Sequence, residues 1–302
     1  MINPVLKREL SVSLRSPRTF IALCVYVILM TVITAVAIFI MKSNILYSGF
    51  TPSSATNLYV FMGVFQLGIV MIFTTAFAGT AISGERERQT LDVMLVTKMS
   101  TLSIVLGKLT ASLSMVCLII VVSLPVFGIA MYFGGVGLFD VFALAFFTLS
   151  AAVMVGGIAI FFSSLLKRNV TSIILTYIAV GFLTIGHAVL LLAGNYIASV
   201  TVLANGSDAL ADRASNIFAI SDVLLSFNVV FGLVSLFDTL IGSFSLQNIA
   251  YYSTIYTGYL RENSFTSMVW AFNIIFNLIV AAVFTLLASV VIKPVKNSRK
   301  YR

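Results

Sequence analysis

Six stretches of this chain are long and apolar enough to cross a lipid bilayer, and that leaves few folds open to it. A spanning helix needs about 20 mostly apolar residues, and residues 19–41, 58–81, 103–133, 139–166, 170–195 and 267–292 meet that condition. Hydrocarbon offers no hydrogen bonds to backbone N–H and C=O groups, so each run must pair its own as a helix. The third run is long for one crossing and contains Pro125. A kink there and tilt to absorb the excess are expected. The composition agrees. Hydrophobic residues make up 60% and charged residues 9%, against about 25% charged in soluble domains. The N-terminus is basic and then apolar, like a cleaved leader. The run from Thr19 to Met41 is too long for one and lacks a small-residue cleavage site, so it reads as a retained helix.

The basic residues orient the spans, because cytosolic loops concentrate Lys and Arg. With the N-terminus in the cytosol, that side holds Lys7, Arg8, Arg15 and Arg18, then Arg86, Arg88, Lys98 and Lys108. It also holds Lys167 and Arg168, and finally Lys293, Lys296, Arg299, Lys300 and Arg302. Only Lys42, Arg213 and Arg261 face outward, so 15 of the 18 lie on one side. An even number of crossings with both termini in the cytosol follows, in a cell membrane. The asymmetry also accounts for the net charge of +8 without a nucleic-acid partner.

Residues 217–241 are nearly apolar enough for a seventh span. A seventh crossing would put the basic tail outside. Ser221, Asn228, Gly232, Ser235, Thr239 and Gly242 form one polar stripe at helical spacing. The segment is therefore expected at the outer surface, amphipathic or re-entrant, within an extracytoplasmic loop at 196–266. Near the start, Asn3 and Pro4 suit a helix N-terminus, and Leu6, Leu10 and Leu14 make an apolar stripe that ends at Ser16-Pro17. Residues 1–18 thus read as a cytosolic interfacial helix. The expected fold class is all-α: a single polytopic membrane domain, 1–302, with six transmembrane helices.

The second run ends in Ile82-Ser83-Gly84-Glu85-Arg86-Glu87-Arg88-Gln89-Thr90-Leu91-Asp92. Four adjacent charges at the bilayer centre would cost roughly 10 kcal/mol together, so this loop, 82–102, is cytosolic. Leu91, Met94 and Leu95 recur at helical spacing beside Val93 and Val96. They form either a short amphipathic helix that presents a knob to a partner or a solvated turn.

The stretch AISGERERQTLDVMLVTKMSTLSIVLGKL resembles the loop between the second and third helices of permease subunits of type-2 ABC exporters. The opening NPVLKREL…RSPRTF is similar to the cytosolic start of such permeases. Asn228-Val229-Val230-Phe231-Gly232 resembles an Asn-Pro segment after their fifth helix, with Val229 in place of the proline. The resemblance implies that Glu85, Arg86, Glu87 and Arg88 sit at the membrane exit and pair among themselves or with an ATPase. It implies that Thr90 to Thr97, with Leu91, Met94 and Leu95, form a coupling helix that docks in that ATPase. Two permease subunits, identical or not, would rock around a central path when ATP closes the ATPase domains.

ATP and Mg would then belong to a separate subunit. Gly79 and Gly84 have the spacing of a phosphate loop, but Glu85 follows where Lys is required, and no G-x-x-x-x-G-K-[ST] occurs in the sequence. No cofactor or metal is expected on this chain, and no catalytic residues: the helices hold no paired carboxylates, His cluster or Ser/Lys pair. Cys24 and Cys117 lie in apolar runs and read as packing residues. His187, the single histidine, is a candidate for lining a translocation path, with a neutral packing role as the plainer reading. Asp140 suits a helix N-terminus. Ala152, Gly156 and Gly157 suit close helix contact. The sequon at Asn169 would be cytosolic and reads as incidental, and that at Asn205 matters only in a glycosylating host. Few internal charges point to an apolar or amphipathic cargo such as a lipid, drug or peptide. The alternative is a secondary transporter or channel without ATP coupling, which would place charged groups at the midplane.

Overall fold

The computed structural model describes residues 17–42, 46, 49, 51–91, 94, 100–205, 223–241 and 269–292. The interfacial helix expected before Pro17 lies outside them. So do most of the expected docking helix after Leu91 and most of the connection at 196–266. The described helices are α1 (Pro17–Ile40), α2 (Pro52–Gly79), α3 (Ser83–Glu87), α4 (Thr101–Tyr132) and α5 (Leu138–Leu165). They continue as α6 (Asn169–Gly181), a π turn at Phe182–Gly186, α7 (His187–Asn205), α8 (Val229–Ile241) and α9 (Val269–Val291). Six spans are long and apolar enough to cross a membrane: Phe20–Ile40, Pro52–Glu87, Thr101–Tyr132, Leu138–Leu165, Asn169–Leu191 and Val269–Val291. They match the six apolar runs of the sequence, and the protein is an all-α, multi-pass membrane protein.

Local chemistry sets where these helices begin. Thr51 Oγ1 accepts from Ser54 N–H ahead of Pro52, and Ser100 Oγ accepts from Ser103 N–H, so α2 and α4 each open on a side-chain cap. Asp140 fulfils its expected role: its Oδ2 accepts from Gly137 N–H at 2.7 Å at the start of α5. Pro125 lies inside α4, which continues on both sides of it.

Helix α5 is the centre of the bundle, packed by α9, α2, α4 and α6. Apolar burial drives little association inside lipid, so close backbone approach must supply the contact. Gly157 provides it: a Cβ there would stand 2.8 Å from the Ala281 Cα on α9. At Gly156 the space is filled by a side chain: an added Cβ would stand 3.0 Å from Leu109 Cδ1 of α4. The chain alternates direction through this core. Ala78, Ile82, Leu109, Ala159, Ala288 and Ile292 cluster at one end, so α2, α5 and α9 finish where α4 begins. That end carries Arg86, Arg88, Lys108, Lys167 and Arg168 and is called the basic end below. At the opposite end Tyr59 Oη donates to the Asp140 carbonyl at 2.7 Å, and Thr56 Oγ1 donates to the Gly135 carbonyl at 3.2 Å.

Of the 217–241 segment, the described residues 223–241 pack into the bundle. Its helix α8 spans 13 residues, about 20 Å, too short for a core of about 30 Å. Its Val229, Gly232, Leu233, Leu236 and Phe237 are buried against α9, α5 and α2. Phe237 reaches Gly63, where an added Cβ would come within 2.6 Å of the ring. Gly63 lies three turns into α2, so α8 is embedded among the spanning helices rather than resting on their ends.

Candidate functional site

The charged loop after α2 is tied into the bundle at nearly every residue. Ser83 is fully buried. Its N–H and that of Ile82 both donate to Ser163 Oγ on α5, at 2.9 and 3.0 Å. Its hydroxyl donates to Asn169 Oδ1 at 2.6 Å. Ser172 Oγ on α6 donates to the Gly79 carbonyl at 2.8 Å. These bonds satisfy the last carbonyls of α2 and the first amides of α3, which a helix break would otherwise leave orphaned.

The four charges then divide. Glu85 Oε1 meets Lys108 Nζ of α4 at 2.8 Å, with side-chain exposures of 25% and 6%. Glu85 also accepts from Thr90 Oγ1. Arg86 Nη1 donates to the Leu166 carbonyl at 3.2 Å, in the α5–α6 turn. Glu87 accepts from Asn169 N–H at 2.7 Å and from Asn169 Nδ2 at 2.6 Å, which sets a carboxylate on the positive end of α6. Arg88 is exposed. Within the chain, Glu85, Arg86 and Glu87 thus bond to α4, the α5–α6 turn and α6 rather than to one another.

The chain reverses immediately afterwards. Gln89 N–H donates to the Arg86 carbonyl and Thr90 N–H to the Glu85 carbonyl, with Gln89 at φ +58. This is the left-handed helix ending that usually takes glycine. The reversal sends Leu91 back into the bundle, where it is 6% exposed and packs with Ile82, Val105 and Ala288. In this structure Leu91 anchors the loop to the bundle. Thr90 is exposed and Met94 half-buried at the surface of the loop, while Leu95 lies outside the described residues.

His187 stands apart from this loop, at the first position after the π turn. Its backbone N–H donates to the Phe182 carbonyl. Its half-buried imidazole has no hydrogen-bond partner among the described residues. Next to it lies a polar chain that sequence reading missed. Asn228 Nδ2 donates to the Leu183 and Thr184 carbonyls of the π turn, at 3.1 and 2.6 Å. Its Oδ1 accepts from Val230 and Phe231 N–H, capping α8. Asn273 Nδ2 donates to the Ser226 and Asn228 carbonyls, and Asn277 Nδ2 to Asn273 Oδ1. All three asparagines are 0–1% exposed. A signal existed: Asn273 and Asn277 are four apart in an otherwise apolar run, hence on one helix face. Asn169, dismissed as an incidental sequon, and Lys108, counted only for its charge, were missed as partners of the loop.

Val229 occupies the first helical position of α8, where a proline is readily accommodated. The backbone there thus suits both Val229 and the proline of the resembled segment. Among the described residues, no three His, Cys, Asp or Glu come together as a metal-ligand set. Neither a comparison with protein-family models nor one with curated proteins returns a match.

Proposed function

We propose that this chain is the membrane-spanning subunit of an ATP-driven exporter of the type-2 ABC class. The basic end would face the cytosol, and a separate ATPase and a second permease subunit would complete the assembly. The cargo class would be apolar or amphipathic: a lipid, a drug or a peptide. The observation that carries this reading is the bonding of the 83–90 loop. A push on Thr90, Met94 or Arg88 is passed through Glu85 to α4, through Arg86 to the α5–α6 turn, and through Glu87 to α6. Such a loop can move several spans as one body, which a transport cycle driven from outside the membrane requires. The sequence resemblance around Ser83–Glu87 supports the same assignment.

The test is co-purification of the tagged chain from its own membranes, followed by an ATPase assay and cross-linking from Thr90→Cys in a variant lacking Cys24 and Cys117. A phosphate-loop ATPase should co-purify and cross-link at position 90. A chain that transports in sealed vesicles without ATP, with no ATPase captured, would instead establish the secondary-transporter reading. The orientation is tested by a tag after Arg302, which should resist protease added outside intact cells.

A further inference from the structure

A cavity of about 260 Å³ opens between the end of α2, α3 and the first turns of α4. Phe77, Glu85 and Arg88 line one wall, and Lys108, Ser112 and Met115 the other. Its two ends differ in chemistry. Phe77 and Met115 make the inner part apolar, whereas Glu85, Arg88 and Lys108 make the part near the basic end charged. Arg88 and Lys108 against Glu85 leave one unit of positive charge in excess. The Glu85 carboxylate holds Lys108 at 2.8 Å, and Arg88 adds a second cation over the same space.

The depth of the cavity is informative. Helix α4 has 32 residues, about 48 Å at 1.5 Å per residue, against a hydrocarbon core of about 30 Å. If the excess is shared between the two ends, about six residues of α4 stand outside the core at each. Lys108 lies seven residues past Thr101, where hydrocarbon gives way to headgroups. A cavity of this size holds about eight waters at ~30 Å³ each, room for a phosphate and its ester oxygens.

We propose that this cavity is a binding site for the phosphate diester of an anionic phospholipid. Arg88 and Lys108 hold the phosphate oxygens, and the start of an acyl chain lies along Phe77 and Met115. The guanidinium fork suits two phosphate oxygens at once. The excess positive charge favours a headgroup of net charge −1 over a zwitterionic one, whose quaternary ammonium would meet Arg88. The site does not depend on the exporter reading, because it needs only this chain and a bilayer.

The experiment uses the purified full chain without any ATPase, in bilayer discs of phosphatidylglycerol or of phosphatidylcholine. Retained lipid is measured by native mass spectrometry for wild type, Arg88→Gln and the paired variant Glu85→Gln/Lys108→Met. Arg88 is exposed, so Arg88→Gln leaves the fold intact. Thermal unfolding checks the folding of the paired variant. Phosphatidylglycerol should be retained in preference to phosphatidylcholine, with retention falling about fivefold for Arg88→Gln, which removes the excess charge, and less for the paired variant, which keeps that charge and loses one donor to the phosphate. Inorganic phosphate should not displace it. Equal retention of the two lipids, or undiminished retention in both folded variants, overturns the proposal. Displacement by inorganic phosphate alone assigns the cavity to the free anion and overturns the lipid reading. Loss of lipid only on adding an acidic peptide assigns it to a protein partner, with the same consequence.

Discussion

At the basic end, Glu85, Arg86 and Glu87 reach three neighbouring elements through charged groups, and Lys108 supplies the only buried cation there among the described residues. Deeper in the bundle, Asn228, Asn273 and Asn277 join α8, the π turn and α9 through neutral amides alone. Both constructions stitch several helices together, yet one relies on charge and the other avoids it. Dielectric environment explains the division. Near headgroups and water a paired charge is tolerable, and each ionic bond also fixes direction. Within hydrocarbon an ion pair must overcome several kcal/mol of desolvation per charge, whereas an amide offers both donors and an acceptor at a far smaller cost.

The sharpest way to break the comparison is Lys108→Met. It takes the cation from a partly buried Glu85 carboxylate, which keeps its bond from Thr90 Oγ1, and loss of one partner of a buried pair typically costs 3–5 kcal/mol. Glu85 keeps some contact with solvent, so destabilisation of about 2–3 kcal/mol is expected in unfolding of the chain in a fixed bilayer. The paired variant Glu85→Gln/Lys108→Met should come back to within about 1 kcal/mol of wild type. If the double variant is as unstable as Lys108→Met, the carboxylate is not the cause.

Asn273→Ala addresses the neutral side. It takes one donor from each of the Ser226 and Asn228 carbonyls and one acceptor from the Asn277 amide, while Gly232 N–H still serves the Asn228 carbonyl and Ser150 Oγ the Asn277 amide, and bonds of this kind inside membranes average well under 2 kcal/mol each. A total loss of about 2 kcal/mol is expected, with faster amide exchange confined to α8. Uniformly faster exchange in every helix would contradict the local role given to Asn273. Asn228→Ala should cost slightly less, about 1–2 kcal/mol, since it removes the α8 cap and two bonds to the π turn.

The smallest effect has the opposite sign. Gln89 adopts φ +58 in a helix ending that favours glycine, so Gln89→Gly should stabilise the chain by about 1 kcal/mol. It should also leave the Glu85–Lys108 pair undisturbed. Destabilisation would mean that the Gln89 side chain makes a contact worth more than the relief of its backbone.

The same contrast explains what was legible in the sequence. The six spans were visible because hydrophobic length is a one-dimensional property, and the capping of Asp140 because it is local. Pairings between distant positions were not. Glu85 and Lys108 are 23 residues apart, and Asn169 lies 82 beyond Glu87. No spacing rule connects them, because each depends on how α4 and α6 settle against α2. The burial of Leu91 was hidden for a related reason. Its helical spacing with Met94 and Leu95 promised an outward apolar face, but the Gln89 reversal turns the chain inward, and glutamine does not advertise a left-handed conformation. The polar stripe in 217–241 was expected at the outer surface, because nothing local shows that Asn228 would find carbonyls exposed by a π turn.

That π turn makes this span unusually tolerant of the loss of a single codon. In an ordinary α-helix, deleting one residue turns everything beyond it by about 100°. At Phe182–Gly186 the backbone already holds one residue more than an α-helical turn needs. Removing it would let the segment close as α-helix, with the 19 residues of α7 keeping nearly their present faces. What would be lost is local: the Leu183 and Thr184 carbonyls, to which Asn228 now donates, would be taken up by ordinary helical bonding. A deletion that would scramble any other span would here be felt at one asparagine and not along the helix.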